Sequence, residues 1–186
     1  MNYAAIKKFD IANGPGVRVS LFVSGCRHKC KNCFNSEAWD FSFGNILTEE
    51  TVNEIVTAVD KDYIEGFSLL GGEPFEPENQ EGIYNVLKAI KEKCPQKTIW
   101  CYSGFCFEEL ISGKVGDKAL VLKCLELIDV LVDGKFVENL KSPSLLFRGS
   151  SNQRIIDVKK SIVQGEAIWL SGKWERQMGS GNIYEG

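Results

Sequence analysis

No stretch of this 186-residue sequence approaches the roughly 20 consecutive apolar residues that a bilayer demands. Its opening, Met1-Asn2-Tyr3-Ala4-Ala5-Ile6-Lys7-Lys8, also lacks the apolar centre of a secretory signal. No membrane partner is expected, and the chain is expected to be cytoplasmic. A basic surplus is missing as well: 22 Lys and Arg stand against 25 Asp and Glu, for a net charge of −3. Binding driven by phosphate neutralisation needs a basic face, so no nucleic-acid partner is expected either. Internal repeats and low-complexity tracts are absent. Finally, no second pair of cysteines with a two-residue gap accompanies the pair at Cys30 and Cys33, although such a second pair is the usual mark of a four-cysteine zinc site.

What is present fits one domain with a core of its own: 44% of residues are apolar and 25% charged. The domain is read as residues 1–170, followed by a Gly- and polar-rich tail, 171–186, expected to be loosely ordered. Seven cysteines, an odd number in a chain read as cytosolic, argue for metal ligation or burial rather than for disulfides. Three of them, Cys26, Cys30 and Cys33, fall within eight residues, and the next is Cys94. A structural metal site is closed by four protein ligands, whereas a catalytic one keeps a position open. Thiolates suit both zinc and iron–sulfur clusters. One reading is therefore a [4Fe–4S] cluster on three cysteines with a vacant fourth iron. The other is a zinc site completed by His28 or by Cys94, Cys101, Cys106 or Cys124. Spacing favours the cluster; His28, the single histidine, is expected not to ligate, and the four later cysteines are expected to be packed thiols.

Residues 17–24 read as a strand that runs into Gly25 and the cysteine loop. Val52, Ile55, Val56 and Val59 lie at i, i+3, i+4 and i+7, which predicts an amphipathic helix over about 48–61 with Thr48 as its cap. A strand at 66–70, a helix at 78–93 before Pro95, and a strand at 98–102 follow. Helices near 107–111 and 118–128 and a strand at 129–132 complete the regular part, with late strands at 154–158 and 167–170. Strands alternating with helices imply a largely parallel α/β sheet, whose ligands bind beyond the carboxyl ends of the strands. Four loops stand at those ends: the cysteine loop, Gly71-Gly72-Glu73-Pro74, Ser103-Gly104 and Asp133-Gly134-Lys135. Two glycines let a backbone approach a ligand, and the adjoining carboxylate can accept hydrogen bonds from an ammonium group. Most Gly-Gly turns are only turns, so it is the order of these loops along the chain that carries weight.

The C-x3-C-x2-C spacing resembles the cluster motif of radical S-adenosylmethionine (SAM) enzymes. Many members carry an aromatic residue before the third cysteine; here Asn32 stands there, and the aromatic is Phe34, in Cys33-Phe34-Asn35. That arrangement is similar to the activase branch of the superfamily. So is Asn13-Gly14-Pro15-Gly16-Val17-Arg18 together with Phe22-Val23-Ser24-Gly25-Cys26, although the former alone reads as a tight loop. Asp129-Val130-Leu131-Val132-Asp133-Gly134-Lys135-Phe136 and Pro143-Ser144-Leu145-Leu146-Phe147-Arg148-Gly149-Ser150-Ser151-Asn152-Gln153 resemble the activating proteins of anaerobic ribonucleoside-triphosphate reductases. The resemblance covers about residues 1–157.

It implies an incomplete radical SAM (βα) barrel, open on one side. Cys26, Cys30 and Cys33 would hold a [4Fe–4S] cluster whose free iron takes SAM. Gly71, Gly72, Glu73 and Pro74, with Phe34 and Asn35, would hold SAM itself. Ser103, Asp133 and Lys135 either touch SAM or satisfy loop backbone. The implied reaction is reductive cleavage of SAM and removal of a hydrogen atom from a glycine of the large reductase subunit, with the electron supplied by a flavodoxin or ferredoxin. No side chain is expected to carry the radical chemistry, which belongs to the cluster and SAM. The same residues leave open an activase of another glycyl radical enzyme such as pyruvate formate-lyase. They also leave open a radical SAM enzyme acting on a small molecule, and a non-catalytic zinc module.

Overall fold

A computed structural model describes residues 1–171; positions 172–186, nearly all of the expected tail, lie outside the described residues. Seven strands form one sheet: β1 (Asn2–Asp10), β2 (Arg18–Val23), β3 (Asn45–Ile46), β4 (Gly66–Gly71), β5 (Thr98–Tyr102), β6 (Val130–Asp133) and β7 (Arg154–Asp157). Their order is β3-β1-β2-β4-β5-β6-β7, and the sheet does not close. The central strands β2, β4, β5 and β6 run parallel. Antiparallel neighbours flank them, β1 and β3 on one edge and β7 on the other. The expected alternation of strand and helix therefore holds for the centre and gives way at both edges.

Four helices of the described residues return the chain between these strands and a fifth follows β7: α1 (Glu49–Val59), α2 (Pro77–Lys93), α3 (Phe107–Ser112), α4 (Lys118–Leu127) and, last, α5 (Val158–Gln164). Thr48 caps α1 as expected, its hydroxyl accepting from the Thr51 amide at 3.2 Å. Pro77 opens α2 at a position where its missing N–H costs nothing, and Lys91 and Lys93 face the negative end of the helix. Asp117 and Asp157 cap α4 and α5. Among the described residues no helix is long and apolar enough to cross a membrane.

Alternation along the strands sorts side chains between two unlike faces. One face offers Val19, Leu21, Phe67, Leu69, Ile99 and Leu131 to helix residues such as Ile55, Ile83, Leu87, Leu110 and Leu125, forming the main core. The opposite face carries a smaller cluster, Trp100, Val130, Val132, Ile155 and Leu170, to which no helix contributes. Phe147, from the loop after β6, closes over Trp100 with ring centroids 5.5 Å apart. Among the described residues, loops rather than helices thus cover this inner face.

The inner face also buries Arg18 completely. Its guanidinium donates to Ser68 Oγ (2.7 Å), Phe67 O (2.8 Å), Thr98 O (2.8 Å), Thr98 Oγ1 (3.1 Å) and Pro15 O (3.3 Å). One side chain therefore ties the amino ends of β2, β4 and β5 together and fixes the loop before β2. Burial pulls its pKa down to about 10.

Two sequence expectations need correction. The proposed strand at 167–170 makes a single bridge, Ile156 to Trp169, because the chain peels away from β7 after two flanking hydrogen bonds. Beyond the strand at 129–132, where only two late strands are expected, the chain also forms α5, a seven-residue helix too short to show a full apolar stripe. β1 was not foreseen at all: β3 covers only its first two residues and leaves the rest at the sheet's margin, and Asp10 alone of its nine residues is buried, so alternation never develops.

Arg18→Ala removes five hydrogen bonds from the sheet's inner face. It should lower the unfolding free energy by about 3 kcal/mol, read from a urea transition. Arg18→Lys, with a single point of donation, should recover only part of that loss.

Candidate functional site

All four loops singled out in the sequence emerge from the carboxyl ends of parallel strands. The cysteine loop follows β2. The residue ahead of each cysteine has positive φ: Gly25 at +94°, Lys29 at +48° and Asn32 at +55°. Left-handed backbone before each thiol coils the loop tightly and turns its amides inward, the arrangement that lets backbone N–H groups face an anionic cluster. The backbone amides of His28 and Lys29 act to favour the thiolate of Cys26, and that of Phe136 the thiolate of Cys30, both against the larger effect of burial. Asn tolerates the left-handed region far better than an aromatic residue does, which accounts for Asn32 ahead of the third cysteine. A backbone bond from Cys33 N to Cys30 O (3.1 Å) closes the coil, and Cys26 N is tied to Trp39 O at 3.1 Å.

Burial pushes the Cys26 thiol up to about 11; Cys30 is raised by burial and then by Cys33. Among the described residues, the one group of three His, Cys, Asp or Glu ligand atoms within 4.8 Å of one another is Cys106, Glu108 and Asp133. Zinc at about 2.3 Å from each thiolate would hold tetrahedral sulfurs about 3.8 Å apart. The three loop cysteines do not form such a group, so their sulfurs do not all lie within 4.8 Å of one another. Cys94, Cys101 and Cys124 are buried among apolar side chains of the main core, away from any role in closing a zinc site. The Cys106 group is already engaged, since Arg154 bonds both Asp133 (2.6 Å) and Glu108 (2.7 Å).

The Gly-Gly-Glu-Pro turn continues the β2–β4 pairing past the strand ends, with Gly72 N bonded to Val23 O (2.7 Å) and Glu73 N to Gly25 O (2.8 Å). Both glycines are required. Gly71 has φ of +117°, and a Cβ on Gly72 would lie 2.5 Å from Gly25 O and 2.8 Å from Ala38 O. Glu73 is fully buried, and its carboxylate is saturated by protein donors. Oε1 accepts from Phe75 N (2.9 Å) and Ser103 Oγ (2.8 Å); Oε2 accepts from Gly104 N (2.7 Å) and pairs with His28 Nε2 (3.0 Å). The carboxylate therefore joins three loops, with its lone pairs turned toward the protein rather than toward an incoming ammonium group.

Between these loops lies a cavity of about 520 Å³, within the range of small-molecule sites. The three loop cysteines, Phe34, Asn35, Gly71, Gly72, Glu73 and Ser103 all reach its wall. Pro74, Asp133 and Lys135 are not part of that wall. Pro74 is buried behind the turn. Asp133 is fully buried, bonding Phe107 N at 2.7 Å and Arg154 Nη2 at 2.6 Å, and thus satisfies loop backbone and a neighbouring cation. Lys135 is exposed, its charge acting on Cys30.

Residues not singled out from the sequence complete the cavity. Trp39 and Tyr102 line it, and Phe147 and Arg148 come from the loop after β6. Tyr102 Oη, Trp39 Nε1 and Asn35 Nδ2 are buried without a hydrogen-bond partner. Burial also holds the Tyr102 phenol protonated. All three residues line the cavity, and unmet buried donors of this kind are costly unless a partner satisfies them. Tyr102 had a readable signal, as the last residue of an inward-facing strand position; Trp39 sits in a short 3-10 turn that no periodicity marks.

A family described as a 4Fe-4S single cluster domain matches residues 12–156. The chain is 41% identical over 155 residues to the anaerobic ribonucleoside-triphosphate reductase-activating protein of Enterobacteria phage T4, covering 83% of this chain and 93% of that one. To the protein of the same name from Escherichia coli K12 it is 42% identical over 155 residues, 82% of this chain and 96% of the relative. For that of Vibrio cholerae the figures are 41% over 157 residues, 83% and 97%.

Gly72→Ala forces a methyl group against the backbone that anchors the cysteine loop. Iron retention after anaerobic reconstitution should fall about tenfold or more, while far-UV circular dichroism stays that of the wild type.

Proposed function

We propose that this chain, which belongs to the family of anaerobic ribonucleoside-triphosphate reductase-activating proteins, is a radical SAM activase that installs a glycyl radical in the large subunit of that reductase. The observation that carries the reading is the single cavity shared by the three loop cysteines and the Gly-Gly-Glu turn. Cys26, Cys30 and Cys33 hold the [4Fe–4S] cluster, and three protein ligands leave its fourth iron for SAM. When bound, the cluster supplies the electron for reductive cleavage of SAM into methionine and a 5′-deoxyadenosyl group that takes a hydrogen atom from the partner's glycine.

The chain's own residues bind, orient and enclose. The backbone of Gly71 and Gly72 lets the amino-acid end of SAM approach closely, and Glu73 shapes that turn instead of meeting the ligand through its carboxylate. Asn35, Trp39 and Tyr102 offer their unmet donors to the polar atoms of SAM. Phe147 and Arg148, from the loop after β6, add to the cavity wall and limit water. The open sheet, with helices on one face only, is read as part of a (βα) barrel whose missing side admits a protein segment. Phe34, 95% exposed beside Cys33, marks the outer approach to the cluster, where a flavodoxin or ferredoxin would dock.

Cys30→Ala should lose both the cluster and SAM cleavage; retained cleavage with normal iron content would sink the assignment. The partner is identified by mixing reconstituted protein, SAM, reductant and candidate glycyl radical enzymes without oxygen. A glycyl radical EPR signal is expected in the ribonucleotide reductase. A signal only in pyruvate formate-lyase would reassign the substrate, and a single zinc in place of iron would remove the catalytic reading.

A further inference from the structure

His28 stands between two cysteines of the loop, yet its side chain leaves the loop and buries itself among the others, at 7% exposure. Nε2 lies 3.0 Å from Glu73 Oε2. That carboxylate already accepts from Phe75 N, Ser103 Oγ and Gly104 N, so Nε2 carries the proton and donates. The imidazole meets Phe105 edge-on, with centroids 4.4 Å apart and planes at 65°. Gly104 is shaped to it as well, since a Cβ there would lie 2.4 Å from His28 Cδ2. A single ring thus touches both loops next to its own.

The neighbouring residue adds a second, weaker tie. Arg27 bonds Glu76 at 2.6 Å, and also Glu78, which follows two residues later. Arg27 is more than half exposed, so solvent screens its pairs. The His28 and Glu73 side chains are both buried, at 7% and 1% exposure, so their contact is far less screened than the Arg27 pairs and costs more to lose.

We propose that His28 is a positioning residue that locks the Gly-Gly-Glu turn in register with the cysteine loop, so that SAM held by the turn meets the iron left open by the cysteines. The proposal rests on the reading of these two loops as SAM and cluster sites. His28 reaches the cavity wall, but the action proposed for it runs through Glu73. It also differs from a packing role, because packing would be served by any side chain of similar volume, whereas locking needs a donor aimed at Glu73.

The test uses the full reconstituted chain and reads iron content, the SAM dissociation constant, and the change that SAM causes in the EPR spectrum of the reduced cluster. His28→Ala is expected to weaken SAM binding about tenfold and to diminish the SAM-induced spectral change. His28→Gln, which keeps an N–H donor, should restore most of both. Gly104→Ala leaves His28 in the sequence but takes the space of its ring, and should reproduce the His28→Ala defect; it also decides the matter if His28→Ala fails to keep its cluster. SAM affinity and spectrum unchanged in His28→Ala with full iron would overturn the proposal, as would normal SAM binding in Gly104→Ala. If the wild type itself shows no spectral change with SAM, the underlying reading of the site fails instead.

Discussion

A carboxylate removed from water has to be met by donors from all sides, and Glu73 is met by four. The donors come from three stretches of chain: the cysteine loop, the turn that holds Glu73 itself, and the loop after β5, which supplies two of them. Removing the carboxylate would leave two buried backbone amides, a hydroxyl and an imidazole without partners. The loops at the top of β2, β4 and β5 are thereby bound to one another more firmly than sequence-distant loops usually are. The cavity inherits its shape from that junction, since Cys26, Gly72, Ser103 and Gly104 all lie within a residue or two of it.

The opposite end of the same three strands is organised by a buried group of the other sign. Arg18 spans β2, β4 and β5 where they begin, as Glu73 spans them where they finish. Neither residue is paired with the other, and each is satisfied chiefly by backbone and hydroxyl groups. Between them the inner face fills with Trp100, Val130 and Val132, so the strands are held at both ends and packed in the middle. Such a frame is rigid where catalytic geometry would require it, and the helices on the far side need only supply apolar contact.

Much of this was legible because it depends on local rules. Thr48, Pro77 and the i, i+3, i+4, i+7 stripe of α1 mark helices without help from distant residues. Cys26, Cys30, Cys33 and the paired glycines stand out because few backbones need them. What the sequence concealed is the direction in which side chains turn. Glu73 looked like a ligand for an ammonium group and faces inward; His28 looked incidental and joins two loops. Asp133 and Lys135 share one motif, yet one is sealed under Arg154 and the other is exposed. Burial of that kind is set by contacts 20 to 50 positions away, which spacing alone does not encode. β1 and α5 escaped for the related reason that an exposed edge strand and a seven-residue helix leave little periodic trace.

Among the described residues the sheet's inner face has no helices of its own, and on the proposed reading this has a consequence for timing. A reactive site walled by loops alone is only as well sealed as the molecule that lies against it. The reductase would then be both the substrate and the missing piece of the enclosure. Cleavage of SAM before docking would spend the cofactor on solvent, while cleavage after docking would deliver it to a glycine already in place. An incomplete architecture, in this sense, makes the encounter itself the safeguard.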